Sequence, residues 1–205
     1  MLKIEGFSLS RENEKFMLIN EMLIGSSMRV NIFGNNDTGR SLLLRSIHGD
    51  YFDYGGQIMI KDKSALFYKK KKKTILINNT SHLLVNESVW KNIIIPLPKI
   101  TARQKQKIME LCVLAKLGDK IGLKVKTLSS SSKKFIELIR AVIQLPQIIL
   151  VDDLENYFDD KNMITALEIC NFALNSGTSV IATSKKKLDN FDVNYRIQDS
   201  KMVKL

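Results

Sequence analysis

Two spacings of apolar residues alternate along the chain and predict a series of strands and helices. Single alternation of apolar and polar residues in 2–5 and 28–33 predicts half-buried strands. Short apolar runs predict four further strands, at residues 57–60, 74–78, 147–152 and 179–183. The last two runs are almost entirely apolar, which is typical of strands in the middle of a parallel sheet.

Apolar residues at helical spacing predict helices between these strands. One buried helix covers 42–47 and ends near Gly49, and Thr101–Gln104 is a capping box that opens a second. A third helix follows a run of serines, and a fourth stops at Gly177. The inner faces of the second and third helices are expected to comprise Ile108, Leu111, Cys112, Ala115, Phe135, Leu138, Ile139 and Val142. Strands alternating with helices predict one α/β domain over residues 1–205.

Composition narrows the class of protein. With 44% hydrophobic and 26% charged residues, the chain is typical of globular proteins. It contains no apolar run near the roughly 20 residues that span a bilayer and no signal-peptide core, so we expect a cytoplasmic protein. Cys112 and Cys170 fall in apolar helical patterns and are expected to be buried thiols.

The net charge of +11 favours partners rich in phosphate or an anionic membrane. Much of it lies in Lys69–Lys73, five lysines in a row. A solvated loop between strands explains this run most simply. Of the functional alternatives, contact with anionic lipid is favoured over nucleic acid, since Tyr68 is the only aromatic residue nearby. No nucleic-acid partner is expected.

A glycine-rich segment carries the clearest sign of chemistry. Residues 34–41 fit the phosphate-loop spacing G-x-x-x-x-G-K-[ST], except that Arg40 stands at the lysine position. The segment lies between a predicted strand and a predicted helix, the context in which backbone N–H groups can bind phosphate at a helix start. The candidate nucleotide-binding residues are Gly34, Asn35, Asn36, Asp37, Thr38, Gly39, Arg40, Ser41 and Leu42.

Four further landmarks follow this loop in order. They are Asn79 after a strand, the run Ser129–Ser132 opening a helix, Asp152–Asp153 ending a buried strand, and Ser184 ending the last core strand. This order resembles the nucleotide-binding subunits of ABC transporters over nearly the whole chain. The resemblance implies a P-loop NTPase core with a mostly parallel sheet, a small antiparallel β region and a helical subdomain at about residues 83–135.

The resemblance also implies a role for each landmark, with ATP and Mg²⁺ as cofactors. Ser41, Asn79 and Asp152 would hold the metal ion. Asp153 would be the general base, Asn79 would orient the attacking water, and Ser184 stands where the family contacts the γ-phosphate. Residues Ser129, Ser130 and Ser131 would bind the ATP of an opposite subunit, which implies a homodimer, and Asp159 stands at the family's dimer contact.

Several of these side chains depart from the family pattern. Arg40 replaces lysine and is bulkier, Asn79 and Asp153 are each one methylene shorter than the family's glutamine and glutamate, and Ser184 replaces histidine. Serines replace the two glycines of the signature loop, which disfavours positive φ. The aromatic residue that stacks on adenine is missing, and Phe7 or Phe16 could substitute for it.

The stretch 83–97 is most similar to the FtsE and lipoprotein-releasing subfamily. The first hypothesis is therefore an FtsE-like subunit at the cytoplasmic face of the inner membrane, active in cell division, with weak or absent ATP hydrolysis. An FtsX-like membrane subunit would dock on Leu83, Leu84, Val89 and Trp90, although Trp90 could equally be a core residue. The alternative is an active ATPase that drives an ABC transporter, such as one for lipoprotein release. A P-loop kinase or GTPase fits poorly, because those folds lack the serine-opened helix before the acid-ending strand.

Overall fold

The computed structural model describes residues 2–12 and 14–205. Its strands are β1 Leu2–Arg11, β2 Glu14–Ile24, β3 Arg29–Phe33, β4 Gly55–Ile60, β5 Lys63–Ser64, β6 Thr74–Ile77, β7 Ile148–Val151, β8 Ser179–Ser184, β9 Val193–Gln198 and β10 Lys201–Lys204. Its helices are α1 Arg40–His48, α2 Ala65–Lys70, α3 Val89–Ile94, α4 Ala102–Leu114, α5 Ser130–Val142 and α6 Asp160–Leu174. Short 3₁₀ turns cover Gly118–Lys120, Val125–Thr127 and Leu154–Asn156.

The strands form one sheet in the order β5-β4-β1-β2-β10-β9-β3-β8-β7-β6. The half from β9 to β6 is parallel, and the half from β5 to β2 is antiparallel. Strand β10 joins the halves, because it pairs antiparallel with β9 and makes a single parallel bridge to β2, Lys201 to Leu18. The predicted α/β fold with a mostly parallel sheet is confirmed, and its antiparallel part contains the two longest strands.

Apolar cores cover both faces of the sheet. On β7, Ile148 and Leu150 pack with the antiparallel strands and α1, whereas Ile149 and Val151 pack with α5 and α6. Since side chains of a strand alternate between faces, a strand covered on both sides must be apolar at every position. Residues 148–151 are all apolar because β7 is covered by a core on each face of the sheet.

The helix boundaries agree closely with the sequence patterns. Gly49 ends α1 in the left-handed region at φ 85°, and Thr101 and Gln104 form the expected capping box. Cys112 and Cys170 are buried free thiols, and burial raises their pKa values to about 11 and about 12.

Two expectations need correction. The lysine run does not form a loop between strands, because Lys69 and Lys70 belong to the last turn of α2. Leu83 and Val89 are buried, so they cannot offer a docking surface, although Leu84 is 44% exposed. Strands β2, β5, β9 and β10 and helices α2 and α3 had not been predicted. Within residues 2–12 and 14–205, no helix has the length and hydropathy needed to cross a bilayer.

Candidate functional site

The carboxyl ends of three parallel strands bring the sequence landmarks together. Phe33 at the end of β3 pairs with Ser184 at the end of β8, and Ala182 pairs with Val151 of β7. The glycine loop, the two aspartates and Ser184 therefore leave the sheet side by side. In open α/β sheets, ligands bind at this edge.

The glycine loop turns through two residues with positive φ, Asp37 at 62° and Gly39 at 86°. The hydroxyl of Thr38 donates to the carbonyl oxygen of Asn35 at 2.9 Å and closes the turn. The Gly34 N–H donates to the Ser184 carbonyl oxygen at 3.3 Å, which ties the loop to β8.

Gly39 also lies where a side chain has no room. A Cβ atom there would come within 2.8 Å of Phe16, 2.9 Å of Leu9 and 3.3 Å of Met17. The loop is thus pressed against the antiparallel strands, and only glycine allows both this contact and the left-handed φ.

The start of α1 is suited to an anion. Gly39 is its N-cap and supplies no side-chain acceptor, and the first turn contains no acidic residue. The first N–H groups of a helix have no partner within the helix, and the helix dipole adds positive charge at this end. This helix start has no side-chain cap and lines the cleft, so its N–H groups are available to an anion there.

Arg40 folds back under the loop instead of extending into solvent. Its Nη1 donates to the carbonyl oxygens of Gly34 and Ser184. Its Nη2 lies 3.1 Å from Oδ1 of Asp153, and the two side chains are only 7% and 19% exposed. The family position of the phosphate-binding lysine is therefore joined by an ion pair to the family position of the general base.

Asp152 and Asp153 share one neighbour. The Thr183 hydroxyl donates to Oδ1 of Asp152 at 2.7 Å and accepts the Asp153 N–H at 2.8 Å. Asp153 has a left-handed φ of 48°, and its carboxylate meets Arg40. Thr183 is fully buried, and sequence reasoning did not identify it, since a threonine in an apolar strand carries no distinctive signal.

The Ser184 side chain is hydrogen-bonded within the protein. The side chain is fully buried, and its hydroxyl donates to Oδ1 of Asn31 at 2.8 Å. The Asn31 side-chain N–H in turn donates to Oδ1 of Asn194 at 3.0 Å. The hydroxyl also lies 2.5 Å from the Lys186 carbonyl oxygen, so its hydrogen-bonding partners in this structure are protein groups. Only the Ser184 carbonyl oxygen faces the loop.

Asn79 is held by groups that the sequence did not reveal. The Tyr157 hydroxyl donates to Oδ1 of Asn79 at 2.9 Å, and Lys134 donates to the Asn78 carbonyl oxygen at 2.7 Å. The Lys134 ammonium lies 4.2 Å from the centre of the Tyr157 ring and pairs with Glu137 at 2.7 Å. Burial, followed by the charges of Asp152 and Asp153, raises the pKa of Tyr157, so its hydroxyl remains a donor. In the sequence, the only sign of this arrangement was that two charged residues, Lys134 and Glu137, interrupt the apolar pattern of α5.

The serine run forms an ordered helix start. The Ser129 hydroxyl accepts the N–H of Ser132 at 3.3 Å, and Ser130 begins α5. Ser130 and Ser131 are absent from the residues with positive φ, so this backbone accommodates serine in place of glycine. Asp159 similarly caps α6, accepting the Asn162 N–H at 2.8 Å.

A cleft of about 1020 Å³ opens above the glycine loop. Its described lining consists of Arg11, Glu12, Phe16, Asn36, Asp37, Thr38, Gly39, Arg40, Ser41, Leu42 and Asp153. Phe16 is thus the aromatic residue at the cleft, whereas Phe7 is buried in the core. Of the described lining residues, none comes from the Asn79 turn or from the serine run, so Ser129–Ser131 are not brought to this cleft.

Residues 21–156, well over half of the chain, match the ABC transporter family. The chain belongs to this family. It is 28% identical over 200 residues to the methionine import ATP-binding protein MetN of Clostridium acetobutylicum, covering 92% of this chain and 62% of that protein. It is 28% identical over 151 residues to the thiamine import ATP-binding protein ThiQ of Haemophilus influenzae, covering 71% and 70% of the two.

The fold agrees with solved members of the ABC transporter family. A structure of the ATP-binding subunit of an ABC transporter superposes with a TM-score of 0.84 at 14% identity, covering all of this chain and 90% of that one. The chain spans 51% of the length of a second methionine import protein, that of Clostridioides difficile, and 62% of the Clostridium acetobutylicum protein. This chain therefore spans only part of these two methionine import proteins.

Proposed function

We propose that the chain is an ATP-binding subunit of a membrane transport complex, which binds ATP with Mg²⁺ and hydrolyses it slowly or not at all. The observation that carries this proposal is the partly buried ion pair of Arg40 and Asp153. A general base must be free to accept a proton from water within roughly 2.6–3.2 Å. Asp153 instead has one oxygen engaged by a guanidinium, and its stem is one methylene shorter than that of glutamate.

The same ion pair sets a cost for ATP binding. Phosphate oxygens would compete with Asp153 and with two backbone carbonyl oxygens for the Arg40 guanidinium. Charge-assisted hydrogen bonds to phosphate are strong enough for such an exchange. The uncapped start of α1 would bind the same phosphates through backbone N–H groups, whatever Arg40 does.

The donor set suits Mg²⁺, which prefers oxygen ligands. Ser41 lines the cleft, Asp152 offers a buried carboxylate, and Asn79 offers an amide oxygen that the Tyr157 hydroxyl orients. These three residues are proposed to hold the ion directly or through water. The metal would supply neutralising charge to the phosphates.

The role of the ion pair can be tested with Asp153→Asn. Removing the negative charge frees Arg40 for phosphate, so ATP affinity is expected to rise about tenfold, equivalent to about 1.4 kcal/mol. Isothermal titration of the purified chain with and without Mg²⁺ gives the affinity, and steady-state phosphate release gives turnover. Turnover at ordinary transporter rates in the natural chain, abolished by Asp153→Asn, would contradict the proposal and support an active ATPase.

Phe16 is proposed to stack on the adenine ring. Base–aromatic stacking contributes about 1–3 kcal/mol, so Phe16→Ala is expected to weaken ATP binding about tenfold. Inorganic triphosphate has no base and serves as the control ligand, and its affinity should stay the same. An equal loss for both ligands would mean that Phe16 acts by supporting the loop.

The partners follow from the same assignment. We propose an integral membrane subunit that docks on the helical region, which we place at about residues 83–135, with Leu84 and Trp90 on its surface. The import functions of MetN and ThiQ favour a transport complex over the FtsE-like division role. We also propose a homodimer in which Ser129–Ser131 of one subunit reach the ATP of the other. Such a subunit would lie at the cytoplasmic face of the membrane.

The active ATPase remains the second candidate, because one part of the catalytic apparatus is intact. Asp152 keeps its buried carboxylate and its hydrogen bond from Thr183, and Ser41 faces the cleft. We propose these groups for binding Mg²⁺, an ion that an active ATPase would also need. The turnover measurement separates the two candidates directly.

A further inference from the structure

A second charged surface lies outside the nucleotide cleft. Residues 61–73, here named the lysine patch, contain seven lysines and one aspartate, a net charge of +6 in a chain whose total is +11. All of these lysines except Lys69 are exposed, and Lys69 is half-buried. The patch therefore holds more than half of the net charge in thirteen residues.

The lysine patch also exposes apolar side chains. Ser64 caps α2 by accepting the Phe67 N–H at 3.3 Å, and Ala65 turns inward. Leu66 and Phe67 turn outward and are 38% and 42% exposed. The Lys71 ammonium lies 6.0 Å from the centre of the Phe67 ring, so a lysine accompanies this apolar side chain.

The patch is fixed to the protein at the end of α1 that is distant from the cleft. Lys69 pairs with Asp50, and the backbone at Ala65 and Leu66 lies within 3.3 Å of where a Cβ of Gly49 would be. The other end of α1 begins at the glycine loop. Nine residues of helix, about 13 Å at 1.5 Å per residue, therefore separate the patch from the nucleotide-binding region.

We propose that the lysine patch binds the anionic headgroups of a lipid membrane, with Leu66 and Phe67 entering the interface. An extended anionic surface can meet many lysines at once, each of which adds about fivefold to binding near such a surface. Exposed leucine and phenylalanine among lysines are typical of interfacial segments. Single-stranded nucleic acid would require several exposed rings for stacking, and Phe67 is the one exposed ring among the patch residues. This inference does not depend on ATP binding.

The test is co-sedimentation of the full chain with vesicles, either of phosphatidylcholine alone or with 30% phosphatidylserine. Binding is expected only to the anionic vesicles and should fall as salt increases. The triple variant Lys70→Gln, Lys71→Gln, Lys72→Gln should bind about a hundredfold less. Phe67→Ser should bind about fivefold less, since it removes the apolar contact and keeps every charge.

The matched control is Lys185→Gln, Lys186→Gln, Lys187→Gln, which removes three exposed consecutive lysines from another loop. It should retain binding within about twofold. An equal loss in this control would overturn the proposal, because net charge alone would then explain the binding. Failure to bind anionic vesicles would also overturn it, as would tighter binding to DNA that Phe67→Ser leaves unchanged. Circular dichroism of each variant establishes that it is folded.

Discussion

Gly39→Ala is expected to lower the free energy of unfolding by about 3 kcal/mol and to abolish measurable ATP binding. The new Cβ would lie 2.8 Å from Phe16 and 2.9 Å from Leu9, and crowding of this kind costs about 1–3 kcal/mol. The left-handed φ of 86° adds about 1–2 kcal/mol for any residue with a Cβ. Urea denaturation gives the stability, and titration with ATP gives the loss of binding.

Gly177→Ala is the matched control for this change. Gly177 has a similar φ of 90°, but nothing lies within 4 Å of its added Cβ. The Gly177→Ala variant should lower the free energy of unfolding only by the backbone contribution, about 1 kcal/mol, and should keep the ATP affinity of the natural chain. If the two variants lost equal stability, the packing of the glycine loop against β1 and β2 would have no energetic role.

The double variant Arg40→Lys, Asp153→Glu is expected to release phosphate from ATP about a hundredfold faster than the natural chain. Lysine places a single charge between phosphates without the planar guanidinium that pairs with Asp153. Glutamate extends the carboxylate by one methylene towards the attacking water. Restoring one preorganised contact at a reacting centre is typically worth 10²–10³ in rate.

The single variants show whether the two positions act together. Each single variant should raise turnover less than tenfold. In Asp153→Glu, Arg40 would still pair with the new carboxylate, and in Arg40→Lys the general base would still be the shorter aspartate. Groups that act as a unit have non-additive effects, so the double variant should exceed the product of the singles. A double variant as slow as the natural chain would place the limiting defect elsewhere, for example at Asn79 or Ser184.

The sequence was sufficient to predict the fold because its strongest signals are local. Glycines at 34 and 39 between an alternating strand and an apolar helix specify the loop, and the apolar run at 147–151 specifies a strand covered on both faces. Strand β2 was missed because its polar positions, Asn20 and Glu21, interrupt the alternation. Strands β9 and β10 follow Ser184, the last of the sequence motifs, and no motif of fixed spacing in that part of the chain predicts them.

The chemistry of the candidate site was harder to predict, since it depends on side chains distant in sequence. Arg40 and Asp153 are 113 positions apart, and their pairing follows from the strand order and not from either local pattern. Ser184 ends β8 as expected, yet its hydroxyl is hydrogen-bonded to Asn31, and a sequence motif does not predict which way a side chain points. Lys134 and Glu137 were detectable in principle, because two charges inside an apolar stripe have to find partners.

Residues from both halves of the sheet line the cleft, and the seam between the halves lies at β10. Phe16 and Arg11 belong to the antiparallel half of the sheet, whereas the glycine loop follows a strand of the parallel half. Strand β10 is linked to β2 by one bridge, from Lys201 to Leu18. In the proposed ATP complex, the adenine ring would contact the antiparallel half of the sheet, and the phosphates would contact the loop that follows the parallel strand β3. The packing of Gly39 against Phe16 and Met17 ties these two sides of the cleft together, so the width of the cleft mouth depends on that contact.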